Sequence, residues 1–169
     1  STSSAASDVY KRQIVDGSIT TALALEEGNR HSPLSINTEA KKVGKNYTLT
    51  GNKTFVIDGH SSNLLIVAAR TSGSDKDSSG ITLFLVDPNL DGVEVNKTSM
   101  VDSRNSANIT LNEVIVSLDD VLGEENNGAA LLEEVLDRAQ IAISAEMLGN
   151  ASQAFDITLE YLKERKQFG

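Results

Sequence analysis

Apolar positions recur with two different periods along this chain, and the period changes near residue 127. Before that point the period is the short one of strands. Tyr47-Thr-Leu-Thr50 and Lys53-Thr-Phe-Val-Ile57 flank Gly51-Asn52, a pair that predicts a two-residue hairpin turn. Asn63-Leu-Leu-Ile-Val-Ala-Ala69 is a continuous apolar run long enough for one buried strand. The polar, Gly/Ser-rich stretch Thr71 to Gly80 reads as a loop. Ile81-Thr-Leu-Phe-Leu-Val86 is the next strand, stopped by Asp87-Pro88. Val93 to Thr98 alternates, and Ile109-Thr-Leu111 and Val114-Ile-Val116 complete the set. Many short strands with no helices between them predict an antiparallel sandwich or barrel. The missing crossover helices disfavour a parallel α/β sheet.

After Asn127 the steps lengthen to three and four. Leu132, Val135, Leu136, Ala139, Ala142, Ile143, Met147, Ala151, Ala154, Phe155 and Leu162 form one stripe of a long amphipathic helix. Asn126 or Asn127 is the expected N-cap. Glu133 and Glu134 sit early and Lys163, Arg165 and Lys166 late, as the helix dipole favours. A stripe of about 40 residues, roughly 60 Å long, needs partner helices to cover it. The expected fold is therefore a β domain over residues 14–122, followed over 127–169 by one long helix of an incomplete helical bundle.

Composition narrows the chemistry. Lys and Arg number 15 against 24 Asp and Glu, a net charge of −9, which disfavours nucleic acid or an anionic membrane as partner. No window reaches the roughly 18 apolar residues of a spanning helix, so a cytoplasmic protein is expected. With no Cys there is no disulfide, thiolate or Cys-based zinc site, and His31 and His60 lie too far apart to suggest a metal cluster.

The two ends carry their own signals. Ser3 to Gln13, SSAASDVYKRQ, matches codon for codon the in-frame translation of a transposase sequencing adapter. Residues 1–13 are therefore expected to be a non-native tail, with the natural sequence starting at Ile14. At the other end the helical pattern runs to Gly169 without a cap or departing loop, which suggests a gene fragment.

Several local patterns invite chemistry and yield little. Asn-X-Ser/Thr triplets at Asn46, Asn52, Asn96, Asn108 and Asn150 are what chance gives in a Thr-rich β domain. His60 and Ser61 are neighbours on an extended chain and point to opposite faces, and no nucleophile elbow supports them. Asp75 and Asp77 lack the Gly and terminal Glu of a calcium loop. Glu134 and Arg138 make an i,i+4 surface pair.

Other residues fall into a more specific arrangement. Gly51-Asn-Lys-Thr-Phe-Val-Ile-Asp-Gly59, followed by Leu64-Leu-Ile-Val-Ala-Ala-Arg70, resembles the middle β domain of the acyl-CoA dehydrogenases, whose pattern is G-x-K-x-[WF]-I-T-N-G and then an apolar strand ending A-R. Ile81–Val86, Leu111–Val116 and Val121-Leu-Gly123 fit the next strands in order. Arg138, Gly149 and the closing Tyr161-x-x-x-Arg165-x-Gln-Phe-Gly169 resemble the first helix of that family's C-terminal bundle. The resemblance covers residues 14–169.

It implies an FAD-dependent oxidoreductase that converts an acyl-CoA thioester to the 2-enoyl-CoA. A carboxylate takes the α proton, the flavin takes the β hydride, and an electron-transfer partner follows. By the same resemblance Glu26 belongs to the flavin-binding strand and Phe55 lies against the flavin ring. Arg165, Gln167 and Phe168 reach the FAD of a neighbouring subunit, which implies a homo- or hetero-oligomer. Arg138 lies near the acyl-CoA. The usual catalytic Glu falls beyond Gly169. Some members carry a base just before the arginine instead, where this chain has Asp137, one methylene shorter. Two departures stand out. The flavin strand's usual T-E-P-G-x-G-S-D is here Leu25-Glu-Glu-Gly-Asn-Arg-His-Ser32, keeping only Glu26 and Gly28, and Ile57 replaces a hydroxyl-bearing Thr. These departures resemble the small subunits of heteromeric acyl-CoA dehydrogenases, so the alternative expectation is a non-catalytic partner subunit. A family relative acting as an oxidase is a third.

Overall fold

A computed structural model describes residues 10–75, 77–102 and 104–168. The first nine residues of the adapter-like tail and the closing Gly169 lie outside the described residues. The chain divides into two compact units, Ser1–Ala130 and Leu131–Gly169.

The first unit carries eight strands: β1 (Thr21–Ala24), β2 (Glu39–Val43), β3 (Asn46–Ile57), β4 (Leu64–Arg70), β5 (Ile81–Val86), β6 (Val93–Ser99), β7 (Asn105–Ser117) and β8 (Val121–Leu122). They form one sheet in the order β6-β7-β3-β2-β4-β5-β8, with β1 also paired to β4. The sheet is open, with β6 and β8 at its ends, so the closed-barrel form of the expectation is not the one adopted. It does fold back on itself. In a flat sheet β3 and β5, three positions apart, would be separated by about 14 Å. Yet the rings of Tyr47 on β3 and Phe84 on β5 meet edge to face at 5.0 Å between centroids. The core between them includes Leu49, Val56, Leu65, Val67, Ile109, Leu111 and Val114.

Most pairings are antiparallel, but β1 and the start of β2 run parallel to β4 along one edge. No crossover helix is needed for this, because the chain reaches β4 through the β2–β3 hairpin. That hairpin turns at Gly44-Lys45, where Val43 pairs with Asn46 and Gly44 has φ 62°.

Gly51-Asn52, predicted as a turn, instead lies inside the continuous strand β3. Gly51 is there for a close approach: a Cβ on it would stand 2.5 Å from Thr38 Oγ1 and 2.7 Å from Thr38 Cα. Gly51→Ala should therefore cost about 1–3 kcal/mol, read as a lowered urea midpoint with an unchanged slope. Likewise Ile109–Leu111 and Val114–Val116 are one strand, β7. Its Asn112 and Glu113 together oppose Thr50, a bulge with Glu113 at φ 53°.

The long helix spans Gly128–Glu164, 37 residues. Asn126 does not cap it. Its Oδ1 accepts hydrogen bonds from Thr71 and Ser72, at 2.9 and 2.7 Å, and its φ is 66°, which leaves Asn127 at the N-cap position. Lys163 lies in the last turn, while Arg165 and Lys166 follow it. Val135, Ile143, Met147, Phe155 and Leu162 of the apolar stripe are exposed, as are Ile141, Leu148 and Ile157 away from it. Apolar residues on more than one face suit a helix surrounded by others. No helix among the described residues is long and apolar enough to cross a membrane.

Candidate functional site

The segment 25–38 leaves β1 and passes beside the second half of β3. Three consecutive β3 residues meet it or the strand opposite. Period-two alternation from Tyr47 through Leu49 and Gly51 sends Lys53 into the interior, where its side chain is 0 % exposed. Its ammonium donates to Glu27 Oε1 at 2.6 Å and to the Leu25 carbonyl at 3.3 Å. The Glu27 carboxylate also accepts from the backbone N–H groups of Asn37 (2.6 Å) and Thr38 (3.0 Å), so it ties the far end of the segment as well. Burial pushes the Lys53 ammonium down to about 8, against the opposing pull of Glu27. Burial raises Glu27, but the Lys53 charge and the hydrogen bonds from Lys53 and Thr38 outweigh it and hold the carboxyl below its usual range. Both partners are thus charged at neutral pH.

Thr54 continues the attachment. Its N–H donates to the Glu26 carbonyl at 2.7 Å and its hydroxyl to the Gly28 carbonyl at 3.1 Å. Glu26 turns its own carboxylate back into the segment, 2.6 Å from His31 Nδ1 and 3.0 Å from the Ser32 N–H. Gly28 has no left-handed φ and no atom within 4 Å of where a Cβ would stand, so neither backbone conformation nor packing requires glycine there.

Phe55 comes next. Thr54 and Phe55 together oppose Asn108 of β7, because Lys53 pairs with Ile109 and Val56 with Ala107. This second bulge reverses the alternation. Val56 is buried, while Phe55 and Ile57 are 52 % and 55 % exposed and share the outer face. Phe55 has φ 52°, and its N–H donates to Asn108 Oδ1 at 3.1 Å. Glu26, Gly28 and Phe55 are thereby brought together through Thr54.

The helical unit holds the other residues singled out in the sequence. Arg138 Nη2 pairs with Glu134 Oε1 at 2.5 Å on the surface, beside an exposed Asp137. The Arg165 N–H donates to the Tyr161 carbonyl at 2.9 Å, and its guanidinium lies 5.5 Å from the Tyr161 ring centroid. Arg165, Gln167 and Phe168 are all exposed, with Phe168 at φ 61°. Elsewhere, the Ser61 hydroxyl is engaged by Asn105 and the Asp58 carbonyl, which gives it no base. Among the described residues no group of three or more His, Asp or Glu could hold a metal ion.

Sequence reasoning missed the Glu27–Lys53 pair and Asn108. The first had a signal, since a lysine at an inward position of an alternating strand requires a buried carboxylate. The second had none, because it depends on a two-against-one register that no pattern announces.

A folded-over open sheet presenting an outward aromatic, followed by one long helix with apolar residues on several faces, defines a class of β domain with a long C-terminal helix. The family described as acyl-CoA dehydrogenase, middle domain, matches residues 21–114, and the chain belongs to the acyl-CoA dehydrogenase family. The chain is 36% identical over 164 residues to the 3-(aryl)acrylate reductase of Clostridium sporogenes, covering 94% of this chain and 43% of that protein. It is 37% identical over 150 residues to the cyclohexane-1-carbonyl-CoA dehydrogenase of Geobacter metallireducens, covering 87% and 39%. Butyryl-CoA dehydrogenase from Megasphaera elsdenii superposes with a TM-score of 0.83 at 31% identity, over 93% of this chain and 42% of that one. The chain thus spans about two fifths of the length of these relatives.

Proposed function

We propose that this chain is part of an FAD-dependent acyl-CoA dehydrogenase, which converts an acyl-CoA thioester to the 2-enoyl-CoA, works as an oligomer and passes electrons to a partner protein. The observation that carries this reading is Phe55, an aromatic held half-exposed on a bulge beside Ile57. A folded chain gains nothing by turning two large apolar side chains outward and fixing one in the left-handed region. A flat ring stacked on them supplies the missing burial. The unexplained Gly28, beside Thr54, suits close approach of the same group to the backbone.

FAD, when bound, supplies the hydride acceptor. The residues of this chain would hold it: Phe55 and Ile57 under the ring, Gly28 leaving room at the backbone, and Arg165, Gln167 and Phe168 toward a neighbouring subunit's cofactor. Arg138 would steer the acyl-CoA, and Asp137 is the one residue in the chain proposed as a base, short in reach. The CoA thioesters in the names of the Geobacter and Megasphaera proteins support that substrate class.

The test is FAD titration of wild type, Phe55→Ala and Gly28→Ala, followed by flavin fluorescence. Aromatic stacking is worth about 1–3 kcal/mol, so Phe55→Ala should weaken binding roughly five- to hundredfold. Gly28→Ala should weaken it with an unchanged melting temperature. Equal affinity in all three would remove Phe55 and Gly28 from the site. A wild type that takes up no flavin would favour the second reading, a non-catalytic partner subunit. That reading is supported by the commitment of the Glu26 carboxylate to His31 and Ser32 and by the missing hydroxyl at Ile57.

A further inference from the structure

We infer that Asn108 is a positioning residue for Phe55, holding the bulge that directs the ring to the outer face of the sheet. This rests on the flavin reading for its purpose, but not for its geometry.

A phenylalanine at φ 52° sits in a region that a bulky side chain avoids, so something must hold it there. Val56 and Ile57 rejoin the ladder to β7 opposite Ala107 and Ser106, and Lys53 leaves it opposite Ile109. Between these points Thr54 is bonded to the segment 25–38 on one side, through the carbonyls of Glu26 and Gly28. Phe55 is left with its N–H facing β7, where the regular partner carbonyl is out of register because two residues oppose one. Asn108 is that one opposing residue, and its side-chain oxygen takes the place of the lost carbonyl at 3.1 Å. An asparagine suits this task. Its carboxamide reaches one bond beyond the backbone, as the extra residue requires, and it accepts without carrying charge.

Without the acceptor, Phe55 is free to relax toward the β region. In a strand, that change of phase sends a side chain to the other face. The ring would then lose its fixed outward direction, although the fold around it, held by Lys53, Thr54 and Val56, would persist. The role is one of direction and not of stability, and this separates it from ordinary packing.

The chain contains no tryptophan, so Phe55→Trp introduces a single reporter at the position itself. In this background Asn108→Ala should lower the Trp emission anisotropy and change its quenching by acrylamide, with the melting temperature close to the parent's. Asn108→Asp, which keeps the acceptor oxygen, should restore both signals. In the Phe55 protein, exchange of the Phe55 amide should speed up roughly two- to tenfold in Asn108→Ala and return toward the parent rate in Asn108→Asp. Added FAD should bind several-fold more weakly to Asn108→Ala than to Asn108→Asp. Unchanged anisotropy and amide exchange in Asn108→Ala would overturn the inference, as would a failure of Asn108→Asp to restore them. A reporter that responds as expected in a protein that takes up no FAD would sustain the positioning role and defeat the flavin reading instead.

Discussion

Glu27→Gln lowers the unfolding free energy of the β unit by about 3–5 kcal/mol, the cost of leaving one member of a buried ion pair without its partner. Lys53 is the member left behind. It has no exposed side-chain surface, and among the described residues its other acceptor is the Leu25 carbonyl at 3.3 Å. Glutamine keeps one acceptor oxygen, which can stay with Lys53 and the Thr38 N–H, while its NH2 group then faces the Asn37 N–H, so the loss combines the missing charge with one broken hydrogen bond. Since a domain is stable by only about 5–15 kcal/mol, this single atom exchange removes a large share of the total. Urea denaturation of the two proteins measures it. A double variant, Glu27→Gln with Lys53→Met, should recover part of the loss, because no ammonium is then left buried without its counter-charge. A loss below about 1 kcal/mol in Glu27→Gln would mean that the pair is screened by water and holds little.

The same pair sets an acid limit. The folded-state value of Glu27 lies below its ordinary value of 4.5. The folded chain therefore binds fewer protons than the unfolded chain in that interval, and stability rises with pH there. The contribution is complete above 4.5 and is lost as pH falls through the lower, folded-state value. Glu27→Gln should flatten the stability profile in that window, and a profile parallel to wild type would show that other carboxylates govern acid unfolding.

On the flavin reading, Arg165→Ala should weaken FAD retention by the full-length assembly roughly ten- to hundredfold, whereas Lys163→Ala should change it little. The two cations are two residues apart at the end of the long helix, so a generic interaction with the helix dipole, worth about 0.3–1 kcal/mol, would make them equivalent. Their surroundings differ. Lys163 is paired with Glu160 at 2.6 Å, while Arg165 lies past the last turn with its guanidinium over the Tyr161 ring and its surface exposed. A guanidinium offered in this way can make a charge-assisted contact to a pyrophosphate, typically about 1.5–3 kcal/mol. The measurement is the flavin absorbance that survives gel filtration of wild type and both variants. Equal loss from both would reduce Arg165 to an ordinary helix-end charge.

How far the sequence carries can be judged residue by residue. The runs Leu64–Arg70 and Ile81–Val86 were legible as strands because both faces of each are buried, and continuous apolar character survives any register. The long helix was legible for a similar reason, since its three-and-four spacing is local and extends over many turns. The turn predicted at Gly51-Asn52 was not there. The pair is locally a good turn, but the fold uses the glycine for contact with Thr38, a residue thirteen positions away. The break between Leu111 and Val114 was read as a gap between strands for the same reason, although the chain there only inserts one residue and continues.

The sequence by itself determined the β domain, the helix, the family resemblance and the identity of Phe55 as the residue to watch, because each is written in periodicity or in a short run of neighbours. Only the tertiary structure decided that the sheet stays open, that Glu27 and Lys53 meet, and that Phe55 faces outward with Asn108 holding its amide. The physical reason is register. Whether a side chain points in or out reverses with each inserted residue, and that count is fixed only when two distant strands pair.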